Sequence, residues 1–297
     1  MGININTAQF LLGVRRAGAS FERTLTVGRL HLNVYKPHLR RLFQDEGLLD
    51  EAILAEVPDS GAQPYAEPFL RMLGAKTVDA MDVSDYEGAT RLHDLNTPIP
   101  AALVEAYDLV CDGGTLEHVL HFTTALHNCM SMVKRGGSLV LHLPVNNCMG
   151  HGFYQLSPDL FFRVLSPPNG FEVKRMVIHA VGPYNRWYEV ADPHDVHGRV
   201  ELISWRPMHL LVHAVKTGPT PATLTTSQQT SYEGQDYQRI QAADAARARS
   251  EAAAAQRTWI NRLPGLAQFL RVARNGFQFY ARQSLCNRRY YRPVAKK

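Results

Sequence analysis

Residues 107–144, YDLVCDGGTLEHVLHFTTALHNCMSMVKRGGSLVLHLP, constrain the fold more than any other part of the chain. Residues 107–111 are a short apolar run of the kind a parallel sheet buries. The run ends at Asp112-Gly113-Gly114, where the backbone can turn and a ligand can approach closely. Thr123 or Thr124 can cap a helix in which Ala125, Leu126, Cys129, Met130 and Val133 recur at helical spacing, and Lys134-Arg135-Gly136-Gly137 supplies its stop. Residues 138–143 resume as a strand. This order predicts an open α/β sheet, whose ligands bind at the carboxyl ends of the strands.

The rest of the chain fits that expectation. Residues 24–28, TLTVG, are β-branched and end in glycine, as a first sheet strand would, and residues 77–83 and 89–92 supply a second and third. Residues 171–180 and 208–216 read as an antiparallel closing pair. Helical patterns run over residues 7–17, capped near Asn6 or Thr7, over 39–54 and 68–73, and onward from Ser157-Pro158. The expected organisation is a doubly wound, Rossmann-like, seven-stranded and mostly parallel domain over residues 1–216. A Thr-, Ser-, Pro- and Gln-rich linker follows over 217–240, then a basic helical region over 241–297.

Charge and cysteine usage narrow the classes further. Residues 258–297 hold no acidic residue and carry more positive charge than the whole chain's net +5. Such a tail suits an anionic surface or nucleic acid, or is an ordinary solvated helix. The 4 cysteines show no CxxC pair, so neither a disulfide framework nor a zinc knuckle is expected. No signal segment and no run of eighteen apolar residues appears, which predicts a cytoplasmic chain without a transmembrane segment. The DPHDVH run at 192–197 lies on a proline-broken loop, and no metal is expected.

The chain resembles the class I S-adenosylmethionine-dependent methyltransferases, type 11-like. The resemblance is carried by YDLV at 107–110, LEHV at 116–119 and MVKRGG at 132–137, with Arg135 where proline is usual. It implies that S-adenosylmethionine is the methyl donor and that a small-molecule acceptor is methylated. Gly28 then occupies the first strand end, Asp82 accepts from the ribose hydroxyls, Asp94 meets the adenine amino group with Leu95 stacking beside it, and Asp112 and Gly113 lie where sulfonium and acceptor meet. The family's acidic residue and Gly-x-Gly-x-Gly turn are degenerate here, reduced to Val27-Gly28-Arg29-Leu30-His31-Leu32. Leu30 and Leu32 would crowd the donor, while Arg29 would repel the sulfonium or hold a carboxylate.

Two polar constellations complete the expected site. Glu117 beside His118 can bind an amine or hydroxyl and take its proton. Asn146, Asn147, His151 and Tyr154 sit on a glycine-flexed loop past the fifth strand, where amides and aromatics suit a polar, sugar-like acceptor. The expected reaction is methyl transfer to an oxygen or nitrogen, with His118 or His151 as base. The rival is a binding or scaffolding module that kept the sheet and lost the donor site. A nucleotide-dependent oxidoreductase or sugar-modifying protein on a similar sheet would want a Gly-x-Gly-x-x-Gly turn that is missing.

Overall fold

The computed structural model describes residues 2–59, 64–182, 186–225, 228–232, 238–239, 241–243, 245–246, 249–250 and 264–294. The chain divides into two compact units, Met1–Trp187 with Arg206–Thr226, and Tyr188–Trp205 with Ser227–Lys297. In chain order the elements are β1 (Gly2–Asn4), α1 (Ile5–Arg16), β2 (Arg23–Val27), β3 (His31–Asn33), α2 (Lys36–Asp45), α3 (Glu51–Ala55), α4 (Glu67–Met72), β4 (Thr77–Asp82), β5 (Arg91–Leu92) and β6 (Tyr107–Asp112). They continue as α5 (Phe122–Met132), β7 (Val133–Asn146), α6 (Pro158–Val164), β8 (Phe171–Ala180), β9 (Trp187–Val190), β10 (Met208–Lys216), a helix over Pro264–Gln283 and β11 (Tyr291–Pro293).

In the first unit the sheet runs β8-β10-β7-β6-β2-β4-β5. Neighbours from β7 to β5 are parallel, and β10 alone runs against both of its partners. This is the seven-stranded, mostly parallel, doubly wound sheet expected from the sequence. Leu25, Val27, Leu109, Val110, Leu139 and Leu141 on its central strands are fully buried. Covering both faces explains why these strands read as apolar runs rather than alternations. Each such side chain contributes about 1.5–3 kcal/mol by leaving water. From β2 the chain winds one way to β4 and β5, then returns to the other side for β6 and β7. The switch point therefore lies between β2 and β6, where Val27 is paired with Asp112.

Several local expectations shift. The cap of α1 is Asn4, whose extended backbone lets its side chain accept from the Asn6 and Thr7 amides. The helical pattern over 39–54 is broken by Gly47 at φ 67°, and Asp50 caps a separate α3. Helix α5 starts at Phe122 without a side-chain cap and ends at Met132. Lys134 to Gly137 thus belong to β7 and are not a helix stop. Lys134 is drawn to the Asp108 carboxylate at 3.2 Å, and a Cβ on Gly137 would meet Asp108 O at 2.7 Å.

In the second unit β9 pairs antiparallel with β11, with Val190 opposite Tyr291. Tyr291 is buried, and its hydroxyl donates to Glu201 O at 3.0 Å. The Pro264–Gln283 helix has no acidic residue in its first turn and exposes Phe269, Val272 and Phe277. Residues 251–256 of the expected alanine-rich helix, and 258–263 and 295–297 of the basic tail, lie outside the described residues.

Candidate functional site

The degenerate turn after β2 has a structural counterpart of its own. Gly28 adopts φ 73°, and a Cβ there would meet Thr115 Oγ1 at 2.7 Å, so the backbone passes very close to the loop after β6. Thr115 Oγ1 donates to Val27 O at 2.8 Å, and Gly28 N donates to Met81 O at 2.7 Å, tying the ends of β2, β4 and β6 together. Where a glycine loop would continue, the chain instead forms β3, which pairs in parallel with β1. Gly2 is required there, since a Cβ would sit 2.3 Å from His31 O.

Leu30 and Leu32 are buried by this arrangement. Leu30 packs onto Gly113, where a Cβ would meet its Cδ2 at 2.7 Å. Arg29 is held by Glu67 at 2.7 Å, donates to Glu87 O at 2.8 Å and stacks over Tyr65 at 3.8 Å. It is a structural clasp for the segments around β3.

Asp82 ends β4 half-buried, with one carboxylate oxygen 4.0 Å from the position of a Gly28 Cβ and the other accepting from Ser84 N at 3.2 Å. Asp94 lies further out, exposed, in a turn closed by its own side chain. Asn96 donates to Asp94 Oδ1 from its backbone at 2.9 Å and its side chain at 2.8 Å, and these bonds hold the carboxyl below its usual range. Leu95 is buried, and Asn128 of α5 donates to Leu95 O at 3.2 Å and Thr97 O at 2.7 Å. This turn is therefore anchored on the helix.

The loop after β6 carries two buried carboxyls. Asp112 Oδ1 accepts from Thr115 N at 2.8 Å, while Asp112 Oδ2 and Glu117 Oε2 are buried with no hydrogen-bond partner. Burial pushes both groups up from the ordinary carboxylate range, and the charge of Asp112 pushes Glu117 further. A turn of 3-10 helix over Leu116–His118 then leaves His118 exposed beside Glu117. Burial, and after it the proximity of His151, lowers the His118 pKa, so its imidazole is the basic form at neutral pH.

The loop after β7 folds onto this edge. Phe153 N and Tyr154 N donate to Glu117 O at 2.8 and 3.3 Å, and Tyr154 Oη donates to Leu120 O at 2.6 Å. Gly152, at φ 91°, passes so close that a Cβ would meet Glu117 O at 2.9 Å. His151 Nε2 thereby comes 3.5 Å from Glu117 Oε1, with its ring 5.5 Å from that of His118. Asn146 ends β7 opposite Met208, and Asn147 turns the chain with φ 59°. The structure thus brings Glu117, His118, His151 and Tyr154 together, and separately groups Gly28, Asp82, Asp112 and Gly113 at the switch point. Asp94 and Leu95 belong to neither group.

Sequence reading missed the imidazoles behind this edge. His209 lies 6.2 Å from His151 ring to ring, and its Nδ1 shares a 2.8 Å hydrogen bond with His142 Nε2. His142 Nδ1 is 3.2 Å from Thr7 Oγ1, and His179 completes the group. Burial holds all three neutral, with His209 lowered to about 4. Their signal was a histidine interrupting each of three apolar strands.

No family model matches the chain, and no curated protein matches it. Among solved structures it is similar to a protein assigned to the methyltransferases in Bacillus halodurans C-125, at 11% identity and TM-score 0.40, covering 72% of this chain and 100% of that one. It is similar to the N-methyltransferase NodS of Bradyrhizobium japonicum WM9, at 13% identity and TM-score 0.38, covering 72% and 96%. A third likeness is to the branched-chain polyamine synthase of Thermus thermophilus, at 12% identity and TM-score 0.37, covering 76% of this chain and 59% of that one. In the first unit, the strand order β8-β10-β7-β6-β2-β4-β5, with β10 antiparallel to both neighbours and the switch point between β2 and β6, is that of the Rossmann-like class I methyltransferase fold.

Proposed function

We propose that the first unit transfers a methyl group from S-adenosylmethionine to an oxygen or nitrogen of a small polar acceptor. The observation that carries this reading is the convergence of Gly28, Asp82 and Asp112-Gly113 at the switch point, next to the edge formed by Glu117, His118 and His151. The residues fit the donor at its nucleoside end, where Gly28 lacks a side chain and a half-buried carboxylate stands beside it. Asp82 would accept from the ribose hydroxyls, with Asp94 and Leu95 bordering the base. When bound, the donor supplies an electrophilic methyl group. The chain's task is to orient the acceptor through Glu117, Asn146, Asn147 and Tyr154, and to remove its proton through His118 or His151.

A second reading, a binding or scaffolding module without donor chemistry, is favoured by Leu30, which packs onto Gly113 where the methionine part of a donor would approach. Calorimetry separates the two. Saturable binding of S-adenosylmethionine or S-adenosylhomocysteine, weakened about tenfold or more in Asp82→Asn by loss of charged hydrogen bonds, supports the enzyme. No heat at millimolar ligand supports the module. No helix among the described residues is long and apolar enough to cross a membrane. The basic 258–297 tail would meet an anionic surface or nucleic acid.

A further inference from the structure

We propose that Glu117, His118 and His151 form a binding site for a divalent transition-metal ion of the zinc class. One ligand atom from each lies within 4.8 Å of the other two, although the residues come from two loops. A carboxylate and two imidazoles are the donor set that suits zinc, nickel or iron, and the imidazoles disfavour magnesium and calcium, which want oxygen ligands. Three protein ligands leave a coordination position open, as catalytic sites do.

Three features point to a cation rather than to a chance meeting of polar groups. Glu117 is 1% exposed, yet its Oε2 has no partner, and neither has the buried Asp112 Oδ2 behind it. Among the described residues no lysine or arginine side chain pairs with either carboxyl group, so two buried oxygens, Asp112 Oδ2 and Glu117 Oε2, are left without a partner. A divalent ion held by Glu117 would supply the partner that its buried carboxyl group lacks. The loop is also held in register by backbone hydrogen bonds from Phe153 and Tyr154 to Glu117 O, which place His151 over Glu117 without using any ligand atom.

Ligand atoms around zinc stand about 3.3 Å apart, given metal–ligand bonds of about 2.0–2.1 Å. The contraction needed falls on His118 and His151, whose exposed side chains can change rotamer, while Glu117 stays fixed by its packing. If methyl transfer is the activity, an acceptor oxygen would bind at the open position, and the ion, in place of His118 or His151 as base, would ease loss of its proton. That clause rests on the proposed function, and the metal site itself does not.

The test uses the full chain, stripped with a chelator and titrated with Zn²⁺ by calorimetry and with Co²⁺ by visible absorption. The expected result is one equivalent bound, with a tetrahedral Co²⁺ spectrum. His118→Ala and His151→Ala should each weaken binding about tenfold or more, and His194→Ala should leave it unchanged. Absence of one-equivalent binding, or unchanged affinity in both histidine variants, overturns the site. Both variants alter exposed side chains, so their folding is checked by circular dichroism without relying on the buried Glu117→Gln. S-Adenosylhomocysteine is titrated in parallel. Metal binding without donor binding sinks methyl transfer and leaves this site standing, and donor binding without metal binding does the reverse.

Discussion

At Gly113 two side chains compete for one volume. A Cβ there would meet Leu30 Cδ2 at 2.7 Å and Cδ1 at 2.9 Å. Gly113→Ala should therefore cost about 1–3 kcal/mol by overpacking, and Leu30→Ala about 2–5 kcal/mol as a cavity forms. The double variant should lose clearly less than the sum, because each change relieves the other. Urea unfolding of the four proteins measures the coupling, and simple additivity would contradict the packing described. His213 gives a second residue-scale expectation. Its ring is buried against Ser138 Oγ at 3.0 Å, and burial, aided by the Lys174 charge, lowers its pKa to about 4, with Arg175 opposite it in the sheet. The unfolded ring titrates at about 6.5. Between these values the unfolded chain binds a proton that the folded one does not. The stability contribution is thus complete above pH about 6.5 and is lost as the pH falls toward about 4. His213→Gln should flatten that part of the stability curve, read by thermal unfolding across pH.

At the scale of elements, the loop after β7 is fastened to the loop after β6 through backbone alone. Gly152→Ala would place a methyl 2.9 Å from Glu117 O at φ 91°. Both the left-handed backbone and the contact oppose it, so a loss of more than about 1 kcal/mol is expected, with faster hydrogen exchange at the Phe153 and Tyr154 amides. Unchanged protection would mean that the two loops are not joined as described. The strands over 77–82, 107–112, 171–180 and 208–216 were legible because apolar residues run through them between turn formers. Strands β1 and β3 were not, since three residues carry no period and their pairing depends on Gly2 meeting a segment far along the chain. The same limit hid the end of α5. The lysine-arginine-glycine-glycine run has the composition of a helix stop, yet Asp108 draws Lys134 into β7.

On the scale of the whole molecule, the positive charge is carried by a segment whose helix also exposes Phe269, Val272 and Phe277. Arginine beside exposed aromatic surface suits the face of an anionic membrane. Removing residues 258–297 should abolish sedimentation with phosphatidylserine vesicles, and added salt should weaken it in the intact chain. Binding that survives the deletion would place the contact elsewhere. Periodicity and turn chemistry are local, and they were enough to specify the seven strands of the first unit's main sheet and to put Gly28, Asp82 and Asp112 at strand ends. Long-range packing was needed to lay Leu30 against Gly113, to make Arg29 a clasp, and to stand His151 over Glu117 with His209 behind it. Those juxtapositions join residues far apart in the chain, and burial and close contact, which no local pattern encodes, fix their chemistry.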